Sequence, residues 1–145
     1  MTKLEEAIQL AVSAHKGQKD KVGAPYILHP LRLMCRVEGE DEQIAAVLHD
    51  VLEDTPVRME DLEKAGFPAA ALEALERLTR RQSESYEQFI DRVMGNPVAI
   101  RVKMADLEDN LNVQRLPEVR ERDRERLNRY LVALGRLKEA IRRGR

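Results

Sequence analysis

The stretch Glu42–Asp54, EQIAAVLHDVLED, decides how this chain is read. On a helix with about 100° between successive residues, it separates into two clean faces. With His49 at zero, Glu42, Gln43, Ala46, Asp50, Glu53 and Asp54 fall between about 20° and 140°. Ile44, Ala45, Val47, Leu48, Val51 and Leu52 occupy the opposite side. This is an amphipathic helix with a core face and a polar face. Such a polar face is commonly just solvated, but histidine is its unusual member. An adjacent His-Asp pair offers an imidazole nitrogen and a carboxylate oxygen, a donor set suited to Zn²⁺, Mn²⁺ or Fe²⁺. Two ligands do not make a site, so partners must come from elsewhere in the chain.

Outward from this stretch the periodicity is helical almost throughout. Thr2 with Glu5 and Ser85 with Gln88 have capping-box spacing, so helices open there. The segment 17–29, GQKDKVGAPYILH, carries two glycines and a proline and reads as a loop. Pro30 is expected at the first position of a short second helix ending near Gly39, and Asp41 is expected to cap the third. Thr55-Pro56 ends that helix, because proline cannot continue it. Helices follow over 58–65, 68–79, 85–94 and 97–115, and a last one of about 25 residues lies beyond Pro117. Nothing alternates like a strand and nothing repeats. The prediction is all-α, one domain over 1–145, an irregular bundle of seven or eight helices.

Two further patches join the His-Asp pair. His29 stands where the Gly/Pro loop enters a helix. Lys103, Asp106 and Asn110 are spaced i, i+3, i+7 and share one helical stripe. That stripe offers a carboxylate, an amide and an ammonium. The chain has only three histidines, and two of them fall in these patches.

Composition limits the alternatives. The 145 residues carry 25 basic and 26 acidic side chains, a net charge of −1, which gives no global attraction to nucleic acid or anionic membrane. Aromatic residues are 3%, with no Trp, too few for a base-stacking platform. The basic segment 115–145 interleaves Glu and Asp and reads as a solvated helix face laced with ion pairs. No apolar run spans a bilayer and no leader is legible, so a cytoplasmic protein is expected. The lone Cys35 fits a reducing compartment.

Taken in order, His29, His49-Asp50 and Asp106 resemble the H…HD…D signature of the HD-domain metal-dependent phosphohydrolases. The segments AHKGQKDKVGAPYILHP (14–30), AAVLHDVLEDTP (45–56) and VKMADLEDNL (102–111) are more closely similar to the hydrolase domain of the Rel/Spo enzymes and to the small alarmone hydrolases. The likeness runs from about residue 4 to 116. It implies an HD-domain fold and removal of the 3′-pyrophosphate of (p)ppGpp with Mn²⁺, while Fe²⁺, Co²⁺ or Zn²⁺ suit the same donors. It implies that His29, His49, Asp50 and Asp106 hold the metal and that Glu53 and Asp54 act on the attacking water. It sets Asn110 facing the nucleotide sugar, with Lys19, Lys21 and Lys103 as candidates to hold phosphate. His15 falls in the first motif as a structural or pocket-edge residue.

Two departures fall near the substrate. Asp20 and Lys21 stand where the family's loop has an arginine pair, and lysine has no planar face to stack on a base. ADLEDN replaces the usual ADRLHN, with Asp109 where His is common. Three readings therefore stand: a (p)ppGpp-type pyrophosphohydrolase, a phosphohydrolase of the same fold for another nucleotide or phosphoester, and a nucleotide-binding module with little turnover. The expected partner is a small molecule, and an oligomer is compatible with all three.

Overall fold

A computed structural model describes residues 1–144, so Arg145, the end of the predicted domain and of the basic segment, lies outside the described residues. Helices run over α1 (Lys3–Ala14), α2 (Leu28–Arg36), α3 (Glu40–Leu48), α4 (Val51–Asp54), α5 (Met59–Lys64), α6 (Ala69–Leu78), α7 (Tyr86–Val93), α8 (Pro97–Asn110) and α9 (Glu121–Arg143), with a 3-10 turn at Val113–Arg115. Counting α3 and α4 as one interrupted helix gives eight, and there is no strand among the described residues. The loop before α2 holds a single bridge, Lys19 to Pro25.

Local chemistry explains the boundaries. Both capping boxes form: Thr2 Oγ1 accepts from Glu5 N–H, and Ser85 Oγ accepts from Gln88 N–H. Asn96 caps α8, with Pro97 at its first position. Three expectations are corrected. Helix α2 starts at Leu28, two residues before Pro30, because a first-turn residue needs no intrahelical N–H bond and proline fits there. Gly39, not Asp41, caps α3; its φ of 90° is a conformation open to glycine, and Asp41 falls in the first turn. The predicted helix over 97–115 stops at Asn110 and continues only as the 3-10 turn.

Helix α3 is the centre of the molecule and packs on α1, α2, α6 and α8. Ile44 to Leu48 are all fully buried, including Ala46 on the supposed polar face. Each large side chain there contributes about 1.5–3 kcal/mol of burial. Because α3 is enclosed on every side, whatever its C-terminal end presents lies inside the protein. That end is His49. The helix breaks at this point: the His49 N–H reaches Ala46 O, and Asp50 adopts φ −103° and ψ 0°. This break turns His49 and Asp50 toward α2 and α8.

Long helix α9 covers α8 and touches α7. Glu139 pairs with both Arg142 and Arg143 on the exposed face, as the solvated-face reading expects, whereas Asp123, paired with Arg126, is buried. No described helix is long and apolar enough to cross a membrane.

Candidate metal centre and its pocket

Three elements deliver the predicted ligands to one point. His29 comes from the first turn of α2, His49 and Asp50 from the break between α3 and α4, and Asp106 from α8. Ligand atoms of His29, His49 and Asp50 all lie within 4.8 Å of one another. Asp106 Oδ1 lies 2.8 Å from His29 Nε2 and 3.5 Å from His49 Nε2. All four predicted ligands are therefore brought together.

The hydrogen bonds orient both imidazoles. His49 Nδ1 donates to Ala46 O at 2.8 Å. Its Nε2 is buried without a hydrogen-bond partner, although Asp50 Oδ2 lies at 2.9 Å. His29 Nδ1 donates to Asp109 Oδ2 at 2.6 Å, which leaves Nε2 facing Asp106. With both Nδ1 atoms engaged elsewhere, the two Nε2 atoms converge on the Asp50 and Asp106 carboxylates. Burial alone would push the His49 ring toward its neutral form, but Asp50 and Asp106 outweigh it and hold its pKa well above the ordinary value. The field calls for a cation at this point. A divalent ion with mixed nitrogen and oxygen ligands fits it.

Other side chains balance the remaining charge. Lys103, predicted to hold phosphate, is instead partly buried against Asp106 Oδ2 at 2.7 Å and lies over the Phe89 ring. Burial opposes its charge, but Asp106 overrides this and raises its pKa. Burial likewise works against the Asp106 carboxylate, yet Lys103 and the two histidines keep its pKa well below the usual range. Tyr26 donates to Asp50 Oδ2. Asn110 donates to Asp106 Oδ1 at 3.1 Å.

Above this floor opens a cavity of about 350 Å³. Buried His29, Asp106 and Asp109 line it together with partly buried Asp50. Its outer wall carries Lys19 and Lys21 from the loop, Arg32 from α2, Arg115 from the 3-10 turn and Arg126 from α9. An acidic floor under a basic rim suits a cation below and a polyanion above. Asn110 and Tyr130 also line the wall. Asp20 is there too, but its Oδ1 accepts the N–H groups of Val22 and Ala24 and shapes the loop.

Glu53 and Asp54 are exposed and are not part of the cavity wall. One Glu53 oxygen accepts the Arg80 N–H. Partial burial, followed by the neighbouring Asp50 and Asp54 charges, raises the Glu53 pKa despite that hydrogen bond. Burial and Asp50 raise Asp54 similarly. His15 is buried, with Nδ1 on Gln18 Oε1 at 2.9 Å, and does not line the cavity. Tyr26, Asp109, Arg32, Arg115, Arg126 and Tyr130 were not singled out from sequence as site residues. Asp109 and Arg32 could have been, since each sits three residues after a predicted ligand and so on nearly the same helical face.

The architecture is shared with a solved structure described as a metazoan ortholog of SpoT that hydrolyzes ppGpp and plays a role in starvation responses. The two align with a TM-score of 0.76 and 26% identity over 98% of this chain and 86% of that one. A guanosine-3′,5′-bis(diphosphate) 3′-pyrophosphohydrolase of Aquifex aeolicus is 33% identical over 120 residues, 74% of this chain. In fold and in sequence the chain is similar to these ppGpp hydrolases. The bifunctional (p)ppGpp synthase/hydrolase SpoT of Escherichia coli is 30% identical over 124 residues, 75% of this chain. The chain spans only 17% and 18% of the length of those two curated proteins. No protein-family model matches it.

Proposed function

We propose that this chain is a divalent-metal-dependent (p)ppGpp-type 3′-pyrophosphohydrolase. The observation that carries the reading is the buried, unpartnered His49 Nε2 among carboxylates, set beneath a cavity with a cationic rim. His29, His49, Asp50 and Asp106 would hold the ion. Mn²⁺ is the metal that the family resemblance implies, and Fe²⁺, Co²⁺ and Zn²⁺ suit the same mixed donor set. When bound, such an ion polarises a phosphoryl oxygen and makes a water more acidic.

The chain's own residues do the rest. Lys19 and Lys21 draw the phosphates to the cavity mouth, and Asn110 faces the nucleotide. Lys103 keeps Asp106 ionised and fixed. Glu53 accepts the proton of the attacking water, since one of its oxygens is held by Arg80 and its raised pKa makes it a better base. Asp54 beside it is the alternate acceptor. Water oxygen bonds to phosphorus, the P–O bond to the 3′ oxygen breaks, and pyrophosphate leaves. We infer a cytoplasmic setting, which suits the exposed free thiol of Cys35.

A second reading, hydrolysis of another nucleotide or phosphoester, is favoured by the loop, where Lys19, Asp20 and Lys21 offer no guanidinium plane. Both are tested by assaying Mn²⁺-loaded protein against a nucleotide panel that includes ppGpp. The first reading expects pyrophosphate release from ppGpp that chelation abolishes. Turnover confined to another substrate would support the second. No turnover by metal-loaded protein would leave a binding module.

A further inference from the structure

Asp109 is the most buried acid beside the cluster, 1% exposed, and it was not among the predicted ligands. Its carboxylate is held from three sides. Oδ2 accepts from His29 Nδ1 at 2.6 Å. Arg32 grips both oxygens, Nε on Oδ1 at 2.8 Å and Nη2 on Oδ2 at 3.0 Å. Arg115 approaches Oδ2 at 3.4 Å and also donates to the Asp109 carbonyl.

These contacts decide the state of His29. An ionised carboxylate only accepts, so Nδ1 must carry the ring proton. Nε2 faces Asp106 Oδ1 at 2.8 Å, so an ion seated between them would meet this nitrogen and not Nδ1. The other imidazole is oriented by a neutral acceptor, the Ala46 carbonyl. A carboxylate behind a ligand histidine fixes the tautomer and also raises the basicity of the ligating nitrogen. The two-point grip of Arg32 prevents the carboxylate from turning away.

We propose that Asp109 is a positioning residue of the metal centre: it holds His29 as the Nδ1–H tautomer with Nε2 free to ligate, and Arg32 holds Asp109 in place. This rests on the reading of the cluster as a metal site. It makes α8 contribute twice, through Asp106 as ligand and Asp109 as orienting partner three residues on. It also links the cavity wall to the metal, because Arg32 lines that wall.

The test is Mn²⁺ titration of metal-free wild type, D109N and R32Q, with helicity checked by circular dichroism. D109N should bind Mn²⁺ about 10–100-fold more weakly, the range found when such outer partners are changed. R32Q leaves the carboxylate present but ungripped, and should weaken binding by about tenfold or less. R32Q changes a partly exposed residue, so it decides the matter if D109N does not fold. In Zn²⁺-loaded wild type, imidazole ¹H–¹⁵N correlation spectra should show His29 protonated at Nδ1 and metal-bound at Nε2. A folded D109N or R32Q with wild-type Mn²⁺ affinity would overturn the proposal, as would His29 ligating through Nδ1. Wild type that takes up no divalent ion would overturn the reading of the cluster itself.

Discussion

Two ionic constellations lie within this small bundle, and they differ in what is left unpaired. Between α6 and α7, Arg92 donates to both oxygens of Glu84 at 2.6 and 2.9 Å, and to the carbonyls of Thr79 and Glu76. One cation meets one anion, and each charged atom has a partner. Among α2, α3 and α8, three aspartates face two histidines, Lys103 and Arg32, and the buried His49 Nε2 meets only acidic oxygens, Asp50 Oδ2 at 2.9 Å and Asp106 Oδ1 at 3.5 Å. The first arrangement is complete as protein and ties a turn in place. The second has a donor set that could hold a cation. A single unmet atom does not make a site, since His15 Nε2 is also buried without a partner; the convergence of two imidazoles and a carboxylate on one point separates the site from the staple.

The sharpest way to break this contrast is at Glu53, the proposed proton acceptor, which is not proposed to hold the ion. E53Q keeps the shape but cannot take a proton. It should retain Mn²⁺ and lose roughly 10²–10⁴ in turnover, the usual share of general-base catalysis. Steady-state assay of metal-loaded protein measures this. Full activity would move the role to Asp54.

The staple should behave in the opposite way. E84Q should cost about 1–2 kcal/mol of stability, the scale of hydrogen bonds to a charged group near solvent. It should leave Mn²⁺ binding unchanged. Urea unfolding beside metal titration checks both, and lost Mn²⁺ affinity would show that the two regions are coupled.

A smaller effect concerns acid. The Arg92 hydrogen bonds hold the Glu84 pKa down at about 2, from an ordinary 4.5. The folded state therefore favours the ionised form. Its contribution is complete above about pH 4.5 and is lost as pH falls from there toward about 2. E84Q, measured by unfolding across that window, should lose less stability than wild type as pH drops. Parallel curves would remove Glu84 from the acid response.

The sequence showed the staple and the site unequally. The capping boxes at Thr2 and Ser85, the stop at Pro56 and the start at Pro97 are local signals, and the structure has them. The four ligands were legible because His29, His49-Asp50 and Asp106 stand in motif order, and the fold gathers them. The break after Leu48 was not legible: residues 42–54 read as one amphipathic helix, and only the enclosure of α3 by its neighbours gives that break a purpose. Lys103 was read as a phosphate holder because its stripe reads as polar, but α8 is covered by α9 and the ammonium turns to Asp106. Arg92 with Glu84 crosses a turn at a spacing of eight residues, where no helical rule applies. Glu53 and Asp54 lie near the cluster but off the cavity wall, so their part in the reaction depends on the substrate.

The central claim is that the unpartnered cluster exists to hold a divalent ion. Equilibrium dialysis against Mn²⁺, followed by elemental analysis of wild type and H49A, tests it most directly. The account predicts one equivalent in wild type and a large loss in H49A, with E84Q still binding one. A full equivalent in folded H49A would contradict it.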